Sequence, residues 1–318
     1  MEETSPPLYL NNETVKQLLD WDKLVCVIER VMKAVSNPDD SNMVVQPPRT
    51  IMPVPEKDGV LLSMPGYSKA DDALACKLVT AFPRNKQKGI PSIIATVLLF
   101  DAETGKVSVV MEGTELTAWR TAAASVVATK YMHNGTDVLA VLGSGAQARS
   151  HIQALDHFFH FKEIRVWNHR FEGAEKLAKE YKKYGKPVTA YENAEKCVRN
   201  ADVIVTATFA DSPILKGQWI KPGVHINAVG AGVNHHSELD TDLYKAASIF
   251  TDSMSAAKVE LHGLANIEVT IQGEIGDIIQ GKYPAPRGKI TVFHSLGMAV
   301  EDVVTAKLVY EEYKNRNA

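Results

Sequence analysis

Residues 137–148 read Asp137-Val-Leu-Ala-Val-Leu-Gly143-Ser144-Gly145-Ala146-Gln-Ala148, a buried strand followed at once by a glycine-rich turn and the start of a helix. A glycine at 143 permits the tight turn, a glycine at 145 lets the backbone approach a pyrophosphate, and the small Ala148 lets helix and strand pack closely. Exposed N–H groups and the dipole at the helix start favour phosphate charge. The stretch predicts a dinucleotide-binding turn; the alternative is a strand–helix turn with a purely structural role.

The residues that follow this turn alternate between strand-like and helix-like segments, as a parallel sheet with helices on both faces requires. The predicted strands are Asp137–Leu142, Glu163–Trp167, Asp202–Thr206, His225–Val229 and Ser248–Thr251, and the predicted helices are Ala146–Phe159 and Gly173–Tyr184. The fold class is therefore α/β, a Rossmann-type doubly wound parallel sheet, over residues 123–294.

The end of the second predicted strand bears on which nicotinamide cofactor binds. An acidic side chain there would accept hydrogen bonds from the ribose hydroxyls and repel a 2′-phosphate. The sequence instead has Asn168-His169-Arg170, a neutral donor and a guanidinium suited to phosphate. NADPH is favoured over NADH, unless Arg170 is a solvated arginine at a helix start. Arg149 either adds to the phosphate charge or faces solvent.

The two ends of the chain have a different pattern, which predicts a second, α+β domain. An amphipathic helix over Asn12–Val35 precedes β-like segments separated by turns, and Leu296–Tyr313 carries the apolar face of a long helix that packs back on the first region. The β-like segments are Gly59–Met64, Ala75–Thr80, Ile94–Phe100 and Lys106–Met111.

Composition excludes several classes of partner. The 318 residues carry a formal charge of −3, so no overall field recruits nucleic acid or an anionic membrane. The N-terminus lacks the features of a signal peptide and no apolar run is long enough for a membrane span, which predicts a cytoplasmic protein. Cys26, Cys76 and Cys197 are expected to be reduced core thiols. His235-His236 is a poor metal site and is expected in a solvated loop, the alternative being contact with nicotinamide or substrate.

Collinear motifs along the chain closely resemble the ornithine cyclodeaminase and μ-crystallin family. The resemblance implies that residues 1–122 and 295–318 form one substrate-binding and dimerisation domain, which pairs through its sheet in a homodimer, with substrate between that domain and the nicotinamide. The matching segments begin at Val45 (VQPPRT), Met64 (MPGY), Lys77 (KLVT), Ala95 (ATVLLF), Leu116 (LTAWRTAA), Leu142 (LGSGAQA), Trp167 (WNHR), Ile226 (INAVG) and Phe293 (FHSLGMAVED).

The resemblance also assigns roles to side chains. It implies that Arg49 and Arg120 grip a substrate carboxylate and that Lys77 sits at the reacting centre, chemistry that suits an α-imino acid. Without it these three would be taken as surface charges, and the alternation around Lys77 would place that lysine on the solvent face of a strand. Around the cofactor it places Thr121, Gln147, Thr208 and Ser295, and Val229 lines the nicotinamide pocket.

Departures from the family pattern bear on the reaction. Cyclodeaminases place an aspartate shortly after the glycine of the Ala-Val-Gly segment, whereas this chain has Gly230-Ala-Gly-Val-Asn. Ornithine cyclisation is therefore doubtful, and the resemblance implies NADPH-dependent reduction of cyclic imino acids such as Δ1-piperideine-2-carboxylate and Δ1-pyrroline-2-carboxylate. Glu238 and Asp240, in the same loop, are expected to initiate a helix.

Other readings stay open. Alanine dehydrogenase, or another amino-acid dehydrogenase, is an alternative within the family. A non-catalytic NADPH-dependent small-molecule carrier or a lens structural protein is an alternative of another class. Thyroid-hormone binding is not assumed, because Ser92-Ile93-Ile94 replaces the polar pair that precedes the Ala-Thr-Val strand in hormone-binding relatives.

Overall fold

The computed structural model describes residues 6–37, 43–182, 188–230 and 236–317. The chain divides into two compact units, one formed by Met1–Arg120 with Gly297–Ala318 and the other by Thr121–Leu296. Each unit is built around one β-sheet.

The helices and strands are numbered here in chain order. The helices are α1 (Asn12–Leu18), α2 (Trp21–Ser36), α3 (Gly113–Met132), α4 (Ala146–Phe159), α5 (Phe171–Lys182), α6 (Ala194–Val198), α7 (Thr241–Ala246), α8 (Met254–Glu260), α9 (Ile275–Ile279) and α10 (Ala299–Asn317). The strands are β1 (Leu8–Leu10), β2 (Val44–Val45), β3 (Thr50–Val54), β4 (Gly59–Ser68), β5 (Ala73–Ala81), β6 (Ile93–Phe100), β7 (Val107–Glu112), β8 (Val138–Leu142), β9 (Glu163–Trp167), β10 (Val188–Tyr191), β11 (Val203–Thr206), β12 (His225–Ala228), β13 (Ser248–Thr251), β14 (Gly273–Glu274) and β15 (Thr291–His294). Within the described ranges, no helix combines the length and apolar character that a membrane crossing needs.

The first unit contains a seven-stranded sheet in the order β1-β7-β6-β5-β4-β2, with β3 also paired to β4. The pair β1/β7 is parallel and the remaining pairs are antiparallel. One face packs against α10: a Cβ added at Gly66 would lie 3.0 Å from Val303 Cγ2. Side chains that alternate along the strands with this buried face, such as Leu74 and Leu98, are half-buried.

The second unit contains an eight-stranded sheet in the order β10-β9-β8-β11-β12-β15-β13-β14, and its neighbouring strands run parallel. The first five positions reproduce the doubly wound order 3-2-1-4-5, with the switch point between β8 and β11. The predicted Rossmann-type α/β fold class is confirmed. Because parallel strands end at the same edge, the residues that follow β8, β9, β11, β12 and β15 share one edge of the sheet.

The prediction of one helix over Asn12–Val35 is wrong, because two helices occupy this segment. The chain leaves α1 at Leu19 in an extended conformation, and α2 starts two residues later, at Trp21. Asp20 caps α2 by accepting a hydrogen bond from Lys23 N at 3.0 Å. An aspartate at that position is a preferred helix N-cap, and this local bond explains a break that the apolar periodicity does not show.

The prediction of three core thiols is also wrong. All three cysteines are free, but Cys26 is exposed, Cys76 is half-buried and only Cys197 lies in a core. On α2 the buried stripe includes Leu24, Val25 and Ile28. Cys26 lies outside this stripe and is exposed to solvent.

Candidate functional site

Four ionisable side chains form a buried cluster in the first unit. Lys77 from β5 and Arg120 from α3 meet Glu301 and Asp302 from the first turn of α10. Lys77 Nζ lies 2.6 Å from Asp302 Oδ2, while Arg120 places Nε 3.1 Å from Asp302 Oδ1 and Nη1 2.8 Å from Glu301 Oε2. These side chains are at most 7% exposed. Two cations are thus balanced by two anions, which offsets the large cost of burying each charge alone.

Strand alternation alone gives the wrong face for Lys77. Along β5 the buried positions are Ala73, Ala75 and Lys77, so the lysine points to the side covered by α10. Its side chain is tolerated there because Asp302 lies in reach, and hydropathy carries no information about that ion pair. The solvent-facing position that strand alternation predicts for Lys77 is therefore wrong.

The surroundings of Lys77 bring its pKa close to the physiological pH range. Burial and the neighbouring charge of Arg120 lower its pKa, whereas Asp302 and Glu301 raise it, leaving a pKa of about 8. At pH 7 roughly ten ammonium forms then exist for each neutral amine. A cationic group in this range both stabilises negative charge and gives up its proton more readily than an ordinary lysine.

Arg49 approaches the same cluster through the backbone of Gly297. Its Nη2 donates to Gly297 O at 3.0 Å. Gly297 has φ +80°, and a Cβ there would lie 2.7 Å from Arg120 Nη1, so the glycine allows both the backbone conformation and the approach of the guanidinium. Arg49, Lys77 and Arg120, widely spaced in sequence, therefore converge on the segment 297–302.

Glu301 and Asp302 form buried ion pairs with Lys77 and Arg120 that the sequence analysis did not predict. Acids in the first turn of a helix ordinarily complement its dipole at the surface. Here residues 299–306 are all buried, so the start of α10 is enclosed on every side. The signal in the sequence is that both acids stand directly between valines, Val300 and Val303, in a segment with no solvent-facing stripe.

In the second unit, the glycine turn after β8 has the geometry expected of a phosphate site. Gly143 has φ +128°, and a Cβ there would lie 2.5 Å from Ala207 O. Gly145 is the N-cap of α4, lacks a side-chain capping bond, and has open space within 4 Å of its Cβ position. The 14-residue helix α4 thus presents backbone N–H groups to an open cradle, which fits the pyrophosphate of a dinucleotide.

The other predicted cofactor residues lie mainly along the same edge of this sheet. Ser144, Ala146 and Gln147 belong to the turn and the first helical residues. The others follow successive strands: Asn168, His169 and Arg170 come after β9, Thr208 after β11, Val229 after β12 and Ser295 after β15. Two polar atoms here, Gln147 Oε1 and Ser295 Oγ, are buried without a hydrogen-bond partner among the described residues, as expected where a ligand completes the site. Thr121 differs, being buried within α3.

Two arginines near the turn have different surroundings. Arg149 forms a bidentate pair with Glu180, at 2.9 and 2.8 Å, so a carboxylate already balances its charge. Arg170 is exposed after β9, where Asn168 Nδ2 donates to its backbone oxygen at 2.9 Å. Of the two, Arg170 is the guanidinium accessible to a 2′-phosphate.

The prediction that Glu238 initiates a helix is wrong, although the neighbouring prediction for Asp240 is right. Asp240 caps α7 by accepting from Leu243 N at 2.9 Å. Glu238 is 1% exposed and its carboxylate binds instead to the loops that follow β11 and β12. Burial raises the pKa of Glu238, against the effect of the hydrogen bonds that Thr208 and Gly230 donate to it.

The histidine pair is only partly visible. His235 lies outside the described residues, whereas His236 is half-buried and packs directly on Gly263, so it is not a solvated loop residue. Within the described ranges, three or more His, Cys, Asp or Glu side chains do not come together in an arrangement that holds a metal ion.

The chain is similar to known proteins over nearly its whole length. The family model of the ornithine cyclodeaminase/mu-crystallin family matches residues 8–317. A ketimine reductase mu-crystallin from Rattus norvegicus is 43% identical over 311 residues, 97% of this chain and 98% of the relative. The structure of Thermococcus litoralis Δ1-pyrroline-2-carboxylate reductase with NADH and L-proline has a TM-score of 0.90 at 32% identity, covering 98% of both chains. An archaeal alanine dehydrogenase dimer with bound NAD has a TM-score of 0.89 at 30% identity, covering 98% of this chain and 97% of its own.

Proposed function

Because the chain belongs to the ornithine cyclodeaminase/μ-crystallin family, we propose that it is an NADPH-dependent ketimine reductase, an oxidoreductase that acts on C=N bonds. Its substrates are cyclic α-imino acids, Δ1-piperideine-2-carboxylate and Δ1-pyrroline-2-carboxylate, which it reduces to L-pipecolate and L-proline. The observation that carries the proposal is the buried cluster of Lys77, Arg120 and Asp302, with Arg49 reaching its edge through Gly297.

Arg49 and Arg120 hold the carboxylate of the imino acid. Glu301 and Asp302 fix the Arg120 guanidinium through Nη1 and Nε, which reduces the side-chain entropy lost when the substrate arrives. Planar guanidinium groups match a carboxylate by paired hydrogen bonds, and this selects an acid rather than a simple amine or imine. An imine without the carboxylate should therefore be a poor substrate.

Lys77 supplies the proton at the imine nitrogen. A protonated C=N is the stronger electrophile, and a donor with a pKa of about 8 is better matched to that transfer near neutral pH than an ordinary lysine. Asp302 keeps the ammonium form populated and fixes its position 2.6 Å away. The protein therefore contributes orientation and charge to the iminium carbon.

The second unit holds the dinucleotide. Gly143, Ser144, Gly145, Ala146 and Gln147 receive the pyrophosphate, Asn168, His169 and Arg170 receive the 2′-phosphoadenosine, and Thr121, Thr208, Val229 and Ser295 line the nicotinamide side. When bound, NADPH supplies the hydride. NADH is less favoured, because the segment after β9 offers the exposed guanidinium of Arg170 and has no carboxylate for the ribose hydroxyls.

A substrate panel tests the reaction. Loss of the reduced-nicotinamide absorbance is followed with each cyclic imine and with pyruvate plus ammonia. With L-ornithine plus NAD⁺ the release of ammonia is measured instead, because cyclodeamination leaves the redox state of the nicotinamide unchanged overall. We expect turnover of the cyclic imines, abolished in Lys77→Ala. Lys307→Ala on α10, a half-buried lysine that pairs with Glu311, is the control and should keep full activity. Preference for pyruvate plus ammonia would instead make the protein an alanine dehydrogenase, an alternative favoured by the archaeal neighbour of that activity.

If NADPH binds tightly but no substrate turns over, the protein is instead a carrier that keeps the site without catalysing a reaction there. Ornithine cyclodeaminase activity is disfavoured, because the segment 230–235 contains no acid and both oxygens of the nearby Glu238 already accept backbone hydrogen bonds.

Cofactor choice is tested at Arg170. Removing a charge-assisted contact to phosphate costs about 1.5–3 kcal/mol, so Arg170→Ala should raise KM for NADPH about 10- to 100-fold and leave KM for NADH unchanged. Arg199→Ala is the matched control, since this arginine precedes β11 at the opposite edge of the sheet and pairs with Glu195 at 2.5 Å. Equal effects of Arg170→Ala on both cofactors would contradict the assignment.

The protein is proposed to act as a cytoplasmic homodimer that associates through the sheet of the first unit. Support comes from the apolar side chains on the face of that sheet opposite α10, including Leu74, Leu78 and Leu98, and from exposed Ile51 and Met52 on β3. The three free thiols fit a reducing compartment.

Light scattering on a sizing column tests the assembly. Leu98→Lys should convert a dimer to a monomer, because it places a charge in an apolar interface. Val259→Lys, at a residue 67% exposed on α8, is the control and should leave the mass unchanged. A monomeric wild-type protein would contradict the proposal.

A further inference from the structure

We propose that Glu238 is a positioning residue whose carboxylate ties together the loops after β11 and β12 and thereby shapes the half of the dinucleotide site that receives nicotinamide mononucleotide. The inference deepens the proposed function and rests on it in taking the bound nucleotide to be NADPH.

The carboxylate bridges two adjacent central strands of the sheet. Oε1 accepts from Thr208 N at 2.7 Å and from Thr208 Oγ1 at 2.5 Å, and Oε2 accepts from Gly230 N at 3.1 Å. Thr208 stands two residues beyond β11 and Gly230 two residues beyond β12, and these strands pair in parallel. One side chain thus supplies acceptors to backbone N–H groups of both loops, at 1% exposure.

The contact with Gly230 requires a glycine. A Cβ added at position 230 would collide with both oxygens of the Glu238 carboxylate. The carboxylate therefore packs directly on the backbone beside Val229, a residue proposed to line the nicotinamide pocket. Any side chain at 230 would displace the carboxylate from the loop that it holds.

A tyrosine contacts the end of the next strand. Burial, and secondarily the charge of Glu238, raises the pKa of the Tyr244 phenol. Its hydroxyl hydrogen-bonds His294 Nε2 at 3.0 Å, and the two rings stack 5.7 Å apart. His294 ends β15 and precedes Ser295, whose N donates to Ala228 O at 3.1 Å. The ends of β11 and β12 are thus joined through Glu238, and the ends of β12 and β15 through the backbone hydrogen bond from Ser295.

These contacts lie in one half of the fold. A Rossmann sheet binds a dinucleotide with two mononucleotide-binding halves on either side of its switch point. The glycine turn after β8 and Arg170 after β9 belong to the first half, whereas Thr208, Gly230 and His294 belong to the second. Loss of the Glu238 carboxylate should therefore weaken the binding of the whole dinucleotide. The binding of a fragment that carries only the 2′-phosphoadenosine diphosphate portion should be unaffected.

Isothermal titration calorimetry tests this with two probes, NADPH and 2′-phospho-ADP-ribose. In Glu238→Gln the amide keeps one acceptor but turns a donor toward either Gly230 N or the Thr208 pair, so Kd for NADPH should rise about 10-fold or more. Kd for 2′-phospho-ADP-ribose should stay within about twofold. Gly230→Ala, which displaces the carboxylate without changing it, should reproduce the same selective loss.

Two controls separate positioning from general stability. Asp240→Asn alters a carboxylate of the same loop, which accepts from Leu243 N and Gly217 N, and should change neither Kd. Arg170→Ala should weaken both probes. If Glu238→Gln and Gly230→Ala weaken both probes equally, or neither, the proposal is overturned; it is also overturned if wild-type protein does not bind NADPH.

The outcome is separable from that of the proposed reaction. Failure of every imine to turn over, with the selective loss of NADPH affinity intact, removes the reductase assignment and leaves the role of Glu238 standing. Turnover of the imines without the selective loss of NADPH affinity leaves the reductase assignment standing and removes the role of Glu238.

Discussion

Replacing Asp302 with asparagine removes the negative charge that lies 2.6 Å from Lys77 Nζ and 3.1 Å from Arg120 Nε. Glu301 would then be the one carboxylate of the cluster facing two buried cations. Breaking a buried ion pair by removing one partner costs about 3–5 kcal/mol, because the remaining charge stays in the interior. For a chain of 318 residues that unfolds as one unit, this corresponds to a melting temperature roughly 4–8 °C below that of the wild type.

The same substitution changes the titration of Lys77. Burial and Arg120 lower the lysine pKa, and Asp302 is the larger of the two acids that oppose them, with the balance at about 8. Without Asp302 the pKa falls below that value, so the ammonium form is lost at lower pH. If Lys77 is the proton donor, kcat/KM of the wild type declines as pH rises through about 8, and in Asp302→Asn the decline begins at lower pH.

Thermal melts followed by circular dichroism and pH profiles with a single imine substrate measure both effects. Glu311→Gln is the matched control, since Glu311 lies on the same helix with a side chain 40% exposed and pairs with Lys307 and Lys314. Its cost should stay below about 1 kcal/mol, with the pH profile unchanged. A melting temperature of Asp302→Asn within about 2 °C of the wild type, together with an unmoved alkaline limb, would contradict these roles of Asp302.

Further predictions concern one backbone position and two buried histidines. Gly297→Ala, at φ +80° and with a Cβ 2.7 Å from Arg120 Nη1, should lose about 1–3 kcal/mol of stability and raise KM for the imine; unchanged melting and KM would contradict this. Burial lowers the pKa of His151 to about 4 and of His225 to about 3. Because the unfolded histidines take up protons near pH 6.5, the stability present above that pH is lost on acidification. The free energy of unfolding measured in urea should be about 4 kcal/mol lower at pH 5 than at pH 7. Equal values at the two pH values would contradict the lowered pKa of the two histidines.

The Rossmann half was predictable because its determinants are local. The glycine turn at Gly143 and the flanking apolar runs specify strand, turn and helix within a dozen residues, and α4 and β9 have the predicted bounds. The four-residue β15 was missed. Its short run, Thr291–His294, has no periodicity to separate it from a loop, and it enters the sheet between β12 and β13, out of chain order.

The site proposed in the first unit could be predicted only through resemblance to a family. Nothing local distinguishes Lys77 from a surface lysine, because the acid that allows its burial is 225 positions away in the chain, at Asp302. Glu238 shows the same limit. Its neighbours in sequence suggest helix capping, and its partners Thr208 and Gly230 come from two other loops. Long-range electrostatic partners are invisible to periodicity, which reports only the average polarity of a face.

The most direct test of the proposed reaction uses NADPH deuterated at C4, first in one and then in the other stereochemical position, with Δ1-piperideine-2-carboxylate as substrate. We expect L-pipecolate carrying one deuterium at C2 from one of the two cofactors, and no labelled product from Lys77→Ala. Absence of labelled pipecolate from both cofactors with the wild-type protein, under conditions where NADPH binds, would contradict the proposed reaction.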